Sequence, residues 1–202
     1  MSPRDVYRLM ISVIVPRPIA WVSTLGADGV ANLAPFSYYG GIGSEPPMLS
    51  VAIGSRRGEF KDTARNLRAS GEFVVNVVSE ALAGRMVATS ADEPPGVDEF
   101  ERYGLTPAPC DAVSASRVAE APVAMECRVE RLIELGRGPT TLAIGEIVRF
   151  HVRDALLSAG AVDPERLRPL ARLGGDLYAS LGALRAIARP RRPGPDTPGQ
   201  PA

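Results

Sequence analysis

Histidine and cysteine are scarce in this 202-residue chain: one His, His151, and two Cys, Cys110 and Cys127. One imidazole and two thiols without metal-ligand spacing argue against a zinc or haem centre. The two thiols are expected to stay structural or inert, as in most reducing compartments. No Gly-x-Gly-x-x-Gly opens a helix, which excludes a Rossmann-type nucleotide site. No Gly-x-Ser-x-Gly elbow is present, which argues against a hydrolase of that type. No apolar run approaches the ~20 residues needed to span a bilayer. The start, MSPRDVYRLM, lacks the apolar stretch and cleavage site of a signal peptide, so a cytoplasmic protein is expected. The formal net charge is +0, so no global field favours nucleic acid or an anionic membrane. Lysine is nearly absent as well: Lys61 is the one lysine among 23 basic residues. Either it is an ordinary solvated charge, or a compact ammonium is wanted there for a phosphate.

What is present centres on the stretch from Pro16 to Thr63. Three apolar runs, Ile19–Leu25, Val30–Tyr39 and Met48–Ile53, lie in it. Gly26-Ala27-Asp28-Gly29 reads as a hairpin turn. Gly40, Gly41, Gly43, Pro46 and Pro47 read as a longer loop. Pro35 is awkward in a central strand and implies an edge, a bulge or a ligand crossing. In the first run Ile19, Trp21 and Ser23 share one face, and Ala20, Val22 and Thr24 the other. Trp21 is expected to fill the core. Ser55-Arg56-Arg57-Gly58 then leads to a helix near Lys61, with Asp62 or Thr63 suited to its N-cap and Gly71 to its end. A helix start offers free N–H groups and a positive dipole end, so this basic entry is a candidate phosphate site.

Elsewhere the pattern predicts a short helix over residues 4–12 and strands at Glu72–Val78, Met125–Leu135 and Thr140–Val152. A helix with Leu82, Met86 and Val87 inward is expected over Ala81–Ala91. In the Met125 strand, Met125, Cys127 and Val129 alternate against an outward Glu126. Asp163-Pro164 opens a helical turn. Residues 1–188 read as one domain. Residues 189–202, rich in proline and arginine, read as a disordered tail. Several strands without strand–helix alternation point to an antiparallel barrel.

Several spaced pieces, PRPIAWVST, NLAPFS, PPMLSVAIG, KDTARNL, GEFVVNVV, IGEIVRFHV and DPERLRPLARLGGDLYASLG, resemble the flavin reductase-like domain family in the family's order. The resemblance implies a mainly β fold with peripheral helices, the antiparallel split β-barrel that binds FMN. It implies a homodimer and an NAD(P)H-dependent flavin reductase serving free flavin or a partner monooxygenase. A flavoredoxin-like electron carrier and a non-catalytic FMN-binding module share the same cradle. It places Arg57, Lys61 and Thr63 at the FMN phosphate. It sets Ser23, Thr24, Asn32 and Ser37, with the backbone of Ala34 and Phe36, against the isoalloxazine ring. His151 matches a histidine near the ring and is expected to position the nicotinamide, since hydride transfer itself needs no protein acid.

Overall fold

The computed structural model describes residues 1–94 and 96–190. Its frame is one antiparallel sheet of seven strands. They are β1 (Ala20–Leu25), β2 (Ala31–Phe36), β3 (Tyr39–Ser44), β4 (Pro47–Ile53), β5 (Glu72–Val77), β6 (Val123–Leu135) and β7 (Thr140–Val152). Their order across the sheet is β2-β1-β5-β6-β7-β4-β3. The sheet curls, and β2 comes back into contact with β4 without a ladder between them. This is the expected split barrel. Helix α1 (Pro3–Val13) precedes the sheet, and α2 (Asp62–Ser70) joins β4 to β5. Two short helices, α3 (Ala83–Ala88) and α4 (Glu99–Arg102), follow β5, and a single turn, α5 (Pro164–Leu167), follows β7. Among the described residues no helix is long and apolar enough to cross a membrane.

The period-two pattern of β1 sorts the core into two sides. Ala20 and Val22 point into the barrel, where they meet Leu49, Val51, Phe73 and Val75, and where α2 inserts Ala64 and Leu67. Trp21 points to the outer face, against Leu33, Met86 and Phe100 beneath α3 and α4. Its ring is fully buried and its Nε1 donates to Thr89 Oγ1 at 2.9 Å. Burying a side chain of that size contributes on the order of 3 kcal/mol.

β2 is an end strand of the sheet, which accommodates Pro35. The Leu33 amide points off the sheet, to Glu99. By antiparallel alternation, Pro35 occupies the next outward position, where no ladder donor is needed. The Gly26–Gly29 hairpin forms as expected, with Gly29 at φ 81.

The glycine run departs from the loop expected for it. Tyr39–Ser44 is a strand, paired with β4 through a register shift between Gly41 and Gly43. It lies at the sheet's other end, where one side of the backbone needs no partner and glycine is tolerated. Val87 also differs: it is exposed, and Leu82, Ala83 and Met86 face the core instead. Glu126, expected outward, is fully buried because the segment 111–113 folds over it. Residues 191–202 of the expected tail lie outside the described residues.

Candidate functional site

A cleft of about 420 Å³ opens between β2, the turn before α2, the first turn of α2 and the segment from Thr89 to Glu93. Asn32, Ala34, Arg57, Lys61 and Thr63 all line it. The turn is built by Arg56 and Glu59, whose backbones exchange hydrogen bonds of 2.9 and 2.8 Å across Arg57 and Gly58. Arg57 (φ 49) and Gly58 (φ 85) both take left-handed conformations, as a two-residue type I′ turn requires. The turn leaves Arg57 exposed, with no ion pair among the described residues.

Lys61, and not Asp62 or Thr63, is the N-cap of α2. Its backbone is extended (φ −66, ψ 158) and its side chain accepts nothing from the helix. An ammonium has no lone pair to offer, so the first amides of α2 have no side-chain acceptor and keep their affinity for an anion. Lys61 Nζ sits 5.6 Å from the centre of the Phe36 ring, which brings Phe36 to the edge of this group. Thr63 is buried, and its Oγ1 accepts from Asn32 Nδ2 at 3.0 Å. With that lone pair taken, the Thr63 hydroxyl proton is left to donate. Two cations, uncapped amides and an oriented hydroxyl fit a phosphate monoester.

The opposite wall was not legible as part of a site. Arg56 pairs with Asp92 and donates to the Glu93 carbonyl at 3.0 Å, which ties the turn to the segment 89–93. Glu99, the first residue of α4, closes the cleft from the β2 side. The sequence of this wall reads only as a proline-rich loop and a brief helix, and its burial depends on the tertiary fold.

Other predicted residues lie elsewhere. Ser23 donates to the Ser116 carbonyl at 2.6 Å and accepts from Asn76 at 3.2 Å, fully buried on the outer face of β1. Thr24 is buried as well and accepts from Asn32 and Asn66, so it orders the residues behind the cleft without lining it. Ser37 follows the end of β2 and accepts from Arg17 Nε at 3.3 Å.

His151 is not among the residues lining the cleft. Its Nε2 lies 2.5 Å from Glu126 Oε1. Burial works against charge on Glu126. The amides of Asp111 and Ala112 and the side chain of His151 outweigh it and hold the carboxyl below its ordinary range. The ligating atoms of Cys110, Glu126 and His151 fall within 4.8 Å of one another. Yet amides already fill the carboxylate oxygens, and burial together with Glu126 pushes the Cys110 thiol up to about 12. The arrangement is that of a hydrogen-bonded pair beside a protonated thiol.

Several solved proteins share this fold. The nitrilotriacetate monooxygenase component B of Bacillus cereus is 39% identical, with a TM-score of 0.90 over 93% of this chain and 95% of that one. The 2-nitrobenzoate 2-nitroreductase of Pseudomonas fluorescens is 31% identical, with a TM-score of 0.82 over 94% of this chain and 93% of that one. The flavoredoxin of Desulfovibrio vulgaris (Miyazaki F) is 27% identical, with a TM-score of 0.76 over 86% of this chain and 91% of that one. The model of the flavin reductase like domain matches residues 12–171, and the chain belongs to that family.

Proposed function

We propose that the chain is an FMN-binding oxidoreductase, an NAD(P)H-dependent flavin reductase that hands electrons to free flavin or to a partner monooxygenase. The observation that carries the reading is the uncapped start of α2, with Lys61, Arg57 and the Thr63 hydroxyl converging on one cleft. These groups hold the phosphate, and the adjoining β2 from Asn32 to Phe36, with Ser37 beyond it, supports the ring. The bound isoalloxazine supplies the two-electron chemistry. The chain's own residues bind and orient it. The likeness to a monooxygenase component B supports an oxygenase as the electron acceptor. We take the protein to be a cytoplasmic homodimer. The likeness to a flavoredoxin favours a second reading, a carrier that holds FMN tightly and receives electrons from a protein.

Anaerobic rapid mixing separates the two. FMN-loaded protein mixed with NADH or NADPH is expected to bleach within the turnover time of the enzyme. Bound flavin that stays oxidised with both nucleotides points to the carrier. Protein that takes up no FMN refutes both.

A further inference from the structure

Five carboxylates line the cleft: Glu59, Asp62, Asp92, Glu93 and Glu99. Asp62 is paired with Arg65 and Asp92 with Arg56. Glu93 accepts from the Tyr103 hydroxyl at 2.7 Å and lies 3.6 Å from Arg102. Glu59 is exposed to solvent. Glu99 is different. It is 8% exposed and has no cation at ion-pair distance among the described residues. The one hydrogen bond that another described residue gives its carboxylate is from the Leu33 amide to Oε2, at 2.8 Å. Burial pushes its carboxyl up from the ordinary value in spite of that bond.

Glu99 lines the cleft, and its carboxylate takes one bond from another described residue, so a donor brought by a ligand finds an acceptor there. The adjacent strand adds an acceptor. Because the Leu33 amide faces outward, the Pro35 carbonyl lies on the same outer edge of β2, and Pro35 lines the cleft. Pro35 has no N–H and the Leu33 amide is taken by Glu99, so this edge offers an acceptor and no free amide at these positions. The cleft is thus polarised. Cations and donors stand at the α2 end, and acceptors stand along β2 and Glu99. A ligand that matches both has an anionic group followed by a chain of hydroxyl donors.

We infer that Glu99 is a specificity-determining residue that accepts a hydrogen bond from the polyol chain linking the phosphate of FMN to its ring. The inference rests on the FMN reading above. It adds that the hydroxyls, and not only the phosphate and the ring, are recognised.

The test compares FMN with an analogue in which a plain five-carbon phosphoalkyl chain replaces the polyol, in the wild type and in Glu99→Gln. The substitution keeps a carbonyl for the Leu33 amide and exchanges the second carboxylate oxygen for a donor. Wild type is expected to bind FMN about tenfold more tightly than the analogue, the scale of one hydrogen bond to a charged acceptor. Glu99→Gln is expected to lose about tenfold toward FMN and to hold the analogue within about twofold of wild type. Equal wild-type affinities for the two flavins overturn the inference, and that measurement requires no variant. So does an equal loss toward both in Glu99→Gln, or an effect confined to the KM for NAD(P)H. Wild type that binds neither flavin overturns the FMN reading itself.

Discussion

Replacing Lys61 by alanine isolates the phosphate from the rest of the flavin. Lys61 is exposed and has no ion pair among the described residues, so its charge acts partly through solvent. Two unit charges about 4 Å apart interact by about 1 kcal/mol in bulk water and about 4 kcal/mol near a protein surface. A hydrogen bond to a charged group contributes about 1.5–3 kcal/mol net. Exposure favours the lower part of that range, and the α2 amides, Thr63 and Arg57 remain in place. Lys61→Ala is therefore expected to weaken FMN by about 1–2 kcal/mol, or roughly 5–30-fold. Riboflavin, which lacks the phosphate, is expected to bind wild type and variant alike. Flavin fluorescence titration at two ionic strengths measures both. Added salt is expected to erode FMN affinity more in the wild type, because the variant has one cation fewer. Unchanged FMN affinity in Lys61→Ala, or an equal loss toward riboflavin, would refute the reasoning.

Three further outcomes follow from particular contacts. Gly145→Ala places a Cβ 2.6 Å from Cζ of the buried Phe73 and 3.3 Å from the Arg128 carbonyl, so it is expected to cost about 1–3 kcal/mol in urea unfolding; Phe73→Leu in the same chain is expected to recover part of that, and simple additivity of the two losses would contradict the clash. Glu126 has its folded pKa below the unfolded value, so its ionisation stabilises the fold above the ordinary carboxylate range, and that stability is lost as pH falls through the folded value. Glu126→Gln is expected to flatten the acid limb of the stability curve, and a limb as steep as wild type would contradict this. His151→Ala is expected to lower stability in urea unfolding by about 1–3 kcal/mol through loss of the Glu126 contact, and to leave the rate of flavin reduction in FMN-loaded protein intact; slowed reduction at unchanged stability would place His151 in the reaction.

The parts of the fold that could be read in the sequence are those fixed by local periodicity. Ala20 and Trp21 on opposite faces of β1, the Gly26–Gly29 hairpin and the Gly71 stop of α2 need no distant partner to be read. The basic end of the cleft was legible for the same reason. Arg57, Lys61 and Thr63 are close in sequence, and one turn and one helix start bring them together. The second wall was not legible, because Thr89 and Glu99 reach the cleft through contacts with Trp21 and Leu33 made far along the chain. Glu126 misled for a related reason: alternation places it opposite Met125 and Cys127, but a segment 13–15 residues earlier covers that face and supplies three amides. His151 was assigned by likeness of position, and its contact with Glu126, on the neighbouring strand two residues beyond its register partner Ala124, had no local signal in the sequence. The glycines of Tyr39–Ser44 suggested a loop, because glycine content does not show whether a backbone is paired at a sheet edge.

The central claim is that the cleft between β2 and α2 holds FMN by its phosphate. A crystal structure of the FMN complex tests it most directly. The account predicts phosphate oxygens within hydrogen-bonding distance, about 2.7–3.2 Å, of the first-turn amides of α2 and the Thr63 hydroxyl, with Lys61 and Arg57 turned toward them. FMN bound elsewhere on the chain, or seated in this cleft with its phosphate away from the start of α2, would contradict it.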